Sequence, residues 1–216
     1  DVTYGVNGFK QFYDKNHKAL ITKINIADRI GDTPVTSIDK GFEGQKEIEE
    51  ITMGNNIWNL VGTFKGCTGL KRIKLSSAIK KIPARTFQDC SSLKAIQIPK
   101  ACKEVGKSSF EGCSSLKEIT IPDGVEEIYD DTFDNCTALT KINLPASVTA
   151  IASGAFGSCT SLESINLDNI SSIGKFAFYN CTGLTELTLG ENPVDISRKA
   201  FSGCSNITKV TVKNSE

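Results

Sequence analysis

Residues 90–99 read CSSLKAIQIP and residues 113–122 read CSSLKEITIP, so one ten-residue phrase returns almost unchanged 23 positions later. Phenylalanine marks the period: Phe42, Phe64, Phe87, Phe110, Phe133, Phe156, Phe178 and Phe201 follow one another at intervals of 22 or 23. Three residues after each of these come Gln45 and then Cys67, Cys90, Cys113, Cys136, Cys159, Cys181 and Cys204. Three further on come Ile48, Leu70, Leu93, Leu116, Leu139, Leu162, Leu184 and Ile207. Each unit continues with an alternating apolar pair such as Ile119 and Ile121. A turn follows, often opened by proline (Pro99, Pro122, Pro145), and then a second apolar pair such as Val125 with Ile128. A repeat of this length cannot bury its apolar face alone and must stack on its neighbours.

A period of 20 to 29 residues containing Leu-x-x-Ile-x-Leu is the spacing of a leucine-rich repeat, with one short strand and one return segment per coil. Alternation sends both apolar side chains of Ile-x-Leu to one side of the strand and the intervening residue to the other. Each strand then pairs with its equivalents above and below at roughly 4.8 Å, and such connections wind right-handed. The predicted fold is a leucine-rich repeat solenoid: a right-handed superhelix of short parallel β-strands with turn or short-helix return segments, about eight rungs plus an N-terminal cap. Residues 1–34 are expected to form the capping hairpin and first ladder strand, and residues 35–216 the solenoid. In the cap, Tyr4, Phe9, Phe12 and Tyr13 gather aromatics, residues 14–17 make a turn, and Ile24-Asn25-Ile26 starts the ladder. At the other end Val210-Thr211-Val212 reads as a last strand, with Lys209 and Lys213 blunting its edge.

The eight cysteines are many for a chain kept reduced, yet no Cys-x-x-Cys occurs and the only histidine is His17, so zinc spacings are missing. Seven cysteines fall in one file. They are expected to pack inward as small apolar residues, with disulfides between neighbouring rungs as the alternative. Cys102 occupies the place of Val125 and Val148. Glycines at recurring turn positions (Gly66, Gly112, Gly157, Gly203) are structural, as are Thr86, Ser109, Thr132, Ala155, Ala177 and Ala200 ahead of the phenylalanines.

Twenty-five basic residues balance twenty-five acidic ones, so the long-range field that gathers nucleic acid or anionic lipid is absent overall, although a local basic patch is compatible with the composition. No apolar run approaches the roughly 20 residues of a membrane span. The first residues, Asp1 to Tyr4, lack the pattern of an export leader. One histidine leaves Ser-His-Asp and Cys-His arrangements without a base, and no Gly-rich phosphate loop occurs. Uniform rung length predicts that no inserted loop walls a cleft. The acid pairs Glu126-Glu127 and Asp130-Asp131 then read as solvated turns. Four Asn-x-Ser/Thr triplets begin at Asn135, Asn169, Asn180 and Asn206, two of them ahead of file cysteines.

The remaining candidate site is the outward side of the main strand. Its residues are Arg72, Lys74, Gln97, Thr120, Lys141, Asn143, Asn166 and Thr188, a polar file that could hydrogen-bond an extended partner across several rungs. The central file of that surface, Lys74, Gln97, Thr120, Asn143, Asn166 and Thr188, lacks the Trp, Tyr and Arg anchors that concentrate binding energy.

The unit Cys-x-x-Leu-x-x-Ile-x-Leu-Pro-x-x-Val-x-x-Ile-x-x-x-Ala-Phe, over about residues 35–213, resembles the BspA-type or Treponema-type leucine-rich repeat. It departs from that pattern at Gln45 for Cys, at Asp168 and Gly190 for the strand-ending Pro, and at Asn169–Ile173, one residue short. The resemblance implies a non-catalytic, cell-surface or secreted bacterial binding module without cofactor or metal. Its implied partner is a protein, such as a host extracellular-matrix or serum protein, met by a monomer through the strand face. Two other classes compete. One is a structural module that self-associates through its edge; the other is a carbohydrate-active β-helix enzyme.

Overall fold

The structure, a computed structural model, describes residues 22–39, 41–192 and 194–213. The aromatic cluster of residues 4–13, the turn at 14–17 and His17 lie outside the described residues.

Alternation along the Ile-x-Leu phrase produces short strands that pair in parallel with the equivalent strand of the next coil. Lys23–Ile26, Glu50–Met53, Arg72–Lys74, Ala95–Ile96, Glu118–Thr120 and Lys141–Asn143 form a six-stranded sheet in that order. The register is set by the repeat: Ile24 lies beside Ile51, Ile51 beside Ile73, Ile73 beside Ile96, and Ile119 beside Ile142. A one-residue slip would turn this whole file to solvent. Asn166–Leu167, Glu186–Leu189 and Lys209–Val212 make a separate three-stranded sheet. The strand face is thus two sheets. At the join, Asn166 accepts a hydrogen bond from the Asp168 amide through its own side chain (2.8 Å). This local turn competes with pairing to the preceding rung.

The return segments are turns and strands of two or three residues, with no helix among the described residues. The second apolar pair supplies these strands, as in the sheet Glu127–Ile128, Ala150–Ile151, Ser172–Ile173 and Asp195–Ile196.

Between the two strand files lies the core. The rings of Phe42 through Phe178 are buried and stack with centroids 5.3–5.5 Å apart, and Phe201 closes the stack on Phe178 at 4.9 Å. Each ring is held by a tight loop whose backbone turns left-handed two residues after the phenylalanine. Gly44, Gly66, Asp89, Gly112, Asn135, Ser158, Asn180 and Gly203 all have positive φ there. Gly, Asn and Asp tolerate that conformation best, which accounts for Asn135 and Asn180 beside the cysteines. Gly157 does not belong to this file: it sits one residue after Phe156, and Ser158 takes the left-handed place.

The cysteines are free thiols, buried except for half-buried Cys204. They do more than fill space. Each of the seven file thiols, Cys67, Cys90, Cys113, Cys136, Cys159, Cys181 and Cys204, donates to the carbonyl oxygen of the phenylalanine one coil earlier, at 2.8–3.2 Å, whereas Cys102 donates to the Glu104 carbonyl. The same carbonyl also accepts from the amide three residues on, as Phe64 does from Cys67 at 3.1 Å. The file therefore hydrogen-bonds along the stack, a role that an apolar residue of similar size would not fill. Burial pushes the Cys67 thiol up to about 12 and those of Cys90, Cys113, Cys136 and Cys159 well above the ordinary thiol value.

Candidate functional site

The alternating pattern that buries Ile73, Ile96, Ile119 and Ile142 turns Arg72, Lys74, Gln97, Thr120, Lys141 and Asn143 outward on the six-stranded sheet, all exposed. Asn166 and Thr188 lie on the three-stranded sheet, paired in register with each other. The eight residues therefore fall into two groups. Within them several side chains are already engaged. The Arg72 guanidinium donates to Glu50 (3.1 Å), which Lys23 also approaches at 3.4 Å; the hydrogen bond from Arg72, joined by Lys23, holds the Glu50 carboxyl below its usual value. Asn143 donates to the Thr120 hydroxyl (3.1 Å), and the Asn166 side chain accepts from the Asp168 amide.

Lys74, Gln97, Lys141 and Thr188 have no side-chain partner among the described residues. Beside them at the strand entrance, Lys94 and Lys117 are exposed and equally unpaired among the described residues, whereas Lys71 is tied to Glu49 at 2.6 Å. A neutral chain thus carries a local run of unpaired lysines over four consecutive rungs, with Glu118 as the acid among them.

A second feature lies away from the strands, at the loops that hold the phenylalanines, where sequence reasoning expected nothing to wall a cleft. A recess of about 440 Å³ opens there, lined by Asp131, Asp134, Gly154, Gly157, Phe176 and Tyr179, with Lys175 and Ser153 at its margin. Its cause is two side-chain deletions in one coil. At the positions two before and one after the phenylalanine, successive coils carry Ser108 and Glu111, Asp131 and Asp134, Gly154 and Gly157, then Phe176 and Tyr179. Only the coil of Phe156 has glycine at both. A Cβ on Gly154 would collide with the Asp131 carboxylate, and one on Gly157 with that of Asp134. No inserted loop is needed to make the recess.

Asp131 faces Lys107 at 3.9 Å, and Asp130 at 3.3 Å. Asp134 accepts from the side-chain amide of Asn135 (2.7 Å). Burial, with Asp131 and Glu111 nearby, pushes Asp134 up to about 6; burial also raises Asp131. Phe176 and Tyr179 meet edge to face, centroids 5.6 Å apart at 79°. Two ammonium groups flank the Phe176 ring, Lys175 at 5.0 Å and Lys199 at 5.9 Å from its centre. The useful signal in the sequence was the double glycine within an otherwise filled file. Among the described residues, no three His, Cys, Asp or Glu side chains come together as metal ligands.

The profile of the BspA type leucine rich repeat region, in six copies, matches residues 16–139 and 126–216. The chain belongs to the BspA-type leucine rich repeat family. Among solved structures, a leucine rich repeat protein of T. pallidum is similar at 22% identity, over 74% of this chain and 91% of that one, with a TM-score of 0.54. This BspA-type chain is also similar to a leucine-rich repeat protein of Bacteroides ovatus (20% identity, 98% and 77% covered, TM-score 0.48). A leucine rich cell surface protein of Faecalibacterium prausnitzii gives 20% identity, 100% and 86% covered, and a TM-score of 0.43. The likeness of fold rests on the T. pallidum protein. No curated protein matches the sequence.

Proposed function

We propose that this protein is a non-catalytic binding module displayed on the cell surface or secreted, and that it engages an extended protein segment through its strand face. The observation that carries this reading is the unpaired lysine run, Lys74, Lys94, Lys117 and Lys141, on a surface that is otherwise flat and polar. Adjacent rungs repeat at roughly 4.8 Å, so the four rungs span about 15 Å, with Lys94 and Lys117 in one file and Lys74 and Lys141 at other places along their strands. The matching partner is acidic and extended, of the kind found among extracellular-matrix and serum proteins. Gln97 and Thr188 add hydrogen bonds, while Arg72, Asn143 and Asn166 serve the scaffold. We assign residues 1–34 as the cap and 35–216 as the binding solenoid. Membership of the BspA-type family supports the surface or secreted location, and no helix of the described residues is long and apolar enough to cross a membrane.

Surface plasmon resonance against a panel of extracellular-matrix and serum proteins tests this, comparing wild type with a Lys74→Ala, Lys94→Ala, Lys141→Ala triple variant. Binding that weakens with salt and falls at least tenfold in the variant is expected; unchanged binding refutes it. Self-association is a second reading, favoured by Val210 and Val212, each 56% exposed on the strand Lys209–Val212. A concentration-dependent dimer in light scattering, lost on Val210→Lys, would select it.

A further inference from the structure

We propose that the recess over Gly154 and Gly157 is a carbohydrate-binding site, taking a sugar ring of a glycan against Tyr179 with its hydroxyl groups on Asp131 and Asp134. Its volume, about 440 Å³, falls within the roughly 300–1,000 Å³ of small-molecule sites. The lining combines three things that a pyranose uses together. An exposed aromatic surface, Tyr179 at 47% exposure beside Phe176, offers a flat apolar face to the C–H side of the ring. Two carboxylates lean over the glycine floor as acceptors for adjacent hydroxyl groups. The ammonium group of Lys175, at the margin, supplies a donor.

Both carboxylates retain unused acceptor capacity. Among the described residues, Asp131 has only the distant Lys107 ammonium, and Asp134 only its neighbour Asn135. Burial raises both acids, so a hydroxyl donating to either carboxylate would offset part of its desolvation.

A cationic guest would also suit acids and aromatics, but the Phe176 ring already has Lys175 and Lys199 beside it, and a third cation would be repelled. A neutral polyol meets no such penalty. A second, smaller recess of about 270 Å³ shares Ser153 with it and follows the second strand file past Asp130, Ser172 and Gly174 to Asp195. The small side chains there leave room for a second sugar unit, so an oligosaccharide is favoured over a monosaccharide.

The experiment is a glycan array of hexose, N-acetylhexosamine and uronic-acid oligosaccharides probed with the whole protein, followed by calorimetry on the best binder. Wild type is expected to bind a subset of neutral oligosaccharides. Tyr179→Ala and the isosteric pair Asp131→Asn, Asp134→Asn should each weaken binding at least tenfold while keeping the wild-type circular dichroism spectrum. The Lys74→Ala, Lys94→Ala, Lys141→Ala variant should bind glycan normally, which separates this site from the strand face. No binder at millimolar concentration overturns the proposal, as does binding that survives both recess variants. Capture of an arginine-rich peptide in place of any glycan, abolished by the same variants, also overturns it.

Discussion

Phe133→Ala probes the physical basis of the stack. The Phe133 ring is fully buried, 5.5 Å from Phe110 at 6° and 5.4 Å from Phe156 at 10°. Truncating a buried phenylalanine costs about 3–5 kcal/mol through lost transfer energy and the cavity left behind. Part of that is two aromatic contacts of about 0.5–1.5 kcal/mol each. Phe201 is half-buried and has one ring neighbour among the described residues, Phe178, so Phe201→Ala should cost about half as much. Asn143→Ala removes one exposed hydrogen bond, to Thr120, and should cost under about 1 kcal/mol. With a urea m-value of about 2–3 kcal/mol/M, Phe133→Ala should lower the midpoint by roughly 1–2 M, and Asn143→Ala by no more than about 0.5 M. The assay is urea denaturation followed by far-ultraviolet circular dichroism. Equal midpoints for Phe133→Ala and Phe201→Ala would refute the reasoning, because position in the file would then not matter.

The thiols give a kinetic prediction: with iodoacetamide at pH 8, native protein should be modified first at half-buried Cys204. The neighbouring Cys181 thiol holds Cys204 lower, while burial keeps Cys67, Cys90, Cys113, Cys136 and Cys159 high. Mass spectrometry should find eight modified sites only after denaturation, and rapid labelling of three or more native thiols would contradict the buried file. Gly190 lies so close to the Asp168 carbonyl that a Cβ would overlap it, so Gly190→Ala should cost about 1–3 kcal/mol. Lys213→Ala, which removes only the ion pair to Asp168 at 2.6 Å, should cost less than about 1 kcal/mol; thermal melts that rank the two the other way would exclude this account. Asp134 has its folded value raised from 3.8 to about 6. The folded state therefore takes up a proton first, and this group's contribution to stability improves as pH falls from 7 through 6 towards 4. Asp134→Asn should accordingly stabilise the protein at pH 7, by about 1 kcal/mol once solvent screening is allowed for. The gain should vanish near pH 4, and a gain independent of pH would show another cause.

Much of the fold was legible because a stacked coil writes each structural role as a file of like residues. Phe42 to Phe201, the leucines and the Ile-x-Leu strands declare their burial by type and period alone. The hydrogen bonds of the cysteine file were not legible. Cys113 reads as a small apolar residue until the loop geometry puts its thiol 3.2 Å from the Phe87 carbonyl. The left-handed position after the phenylalanines was visible as Gly, Asn or Asp in every coil but that of Phe156, where Ser158 takes it. Its counterpart two residues before was not, since Arg85, Phe176 and Lys199 adopt positive φ there without any favourable side chain. The break between sheets also had a weak signal. Asp168 in place of proline was evident, but that Asn166 would fold onto the Asp168 amide depended on a side-chain rotamer.

On the site, periodicity misleads in a specific way. A file that repeats faithfully is one whose members satisfy one another, as Lys23, Glu50 and Arg72 do across three rungs, or Thr120 and Asn143 across two. Such residues are exposed and polar yet already spent, so exposure alone ranks them too high. The two proposed binding surfaces lie instead where a file breaks its own rule. Lys74 lies opposite Thr52, Lys94 and Lys117 stand one above the other, and Lys141 lies opposite Glu118 without an ion pair among the described residues. Gly154 and Gly157 withdraw two side chains from a loop that otherwise closes over itself, leaving Asp131, Asp134 and Tyr179 facing a space that the scaffold does not fill. In a solenoid of uniform rungs, a missing side chain can open a site as effectively as an added loop.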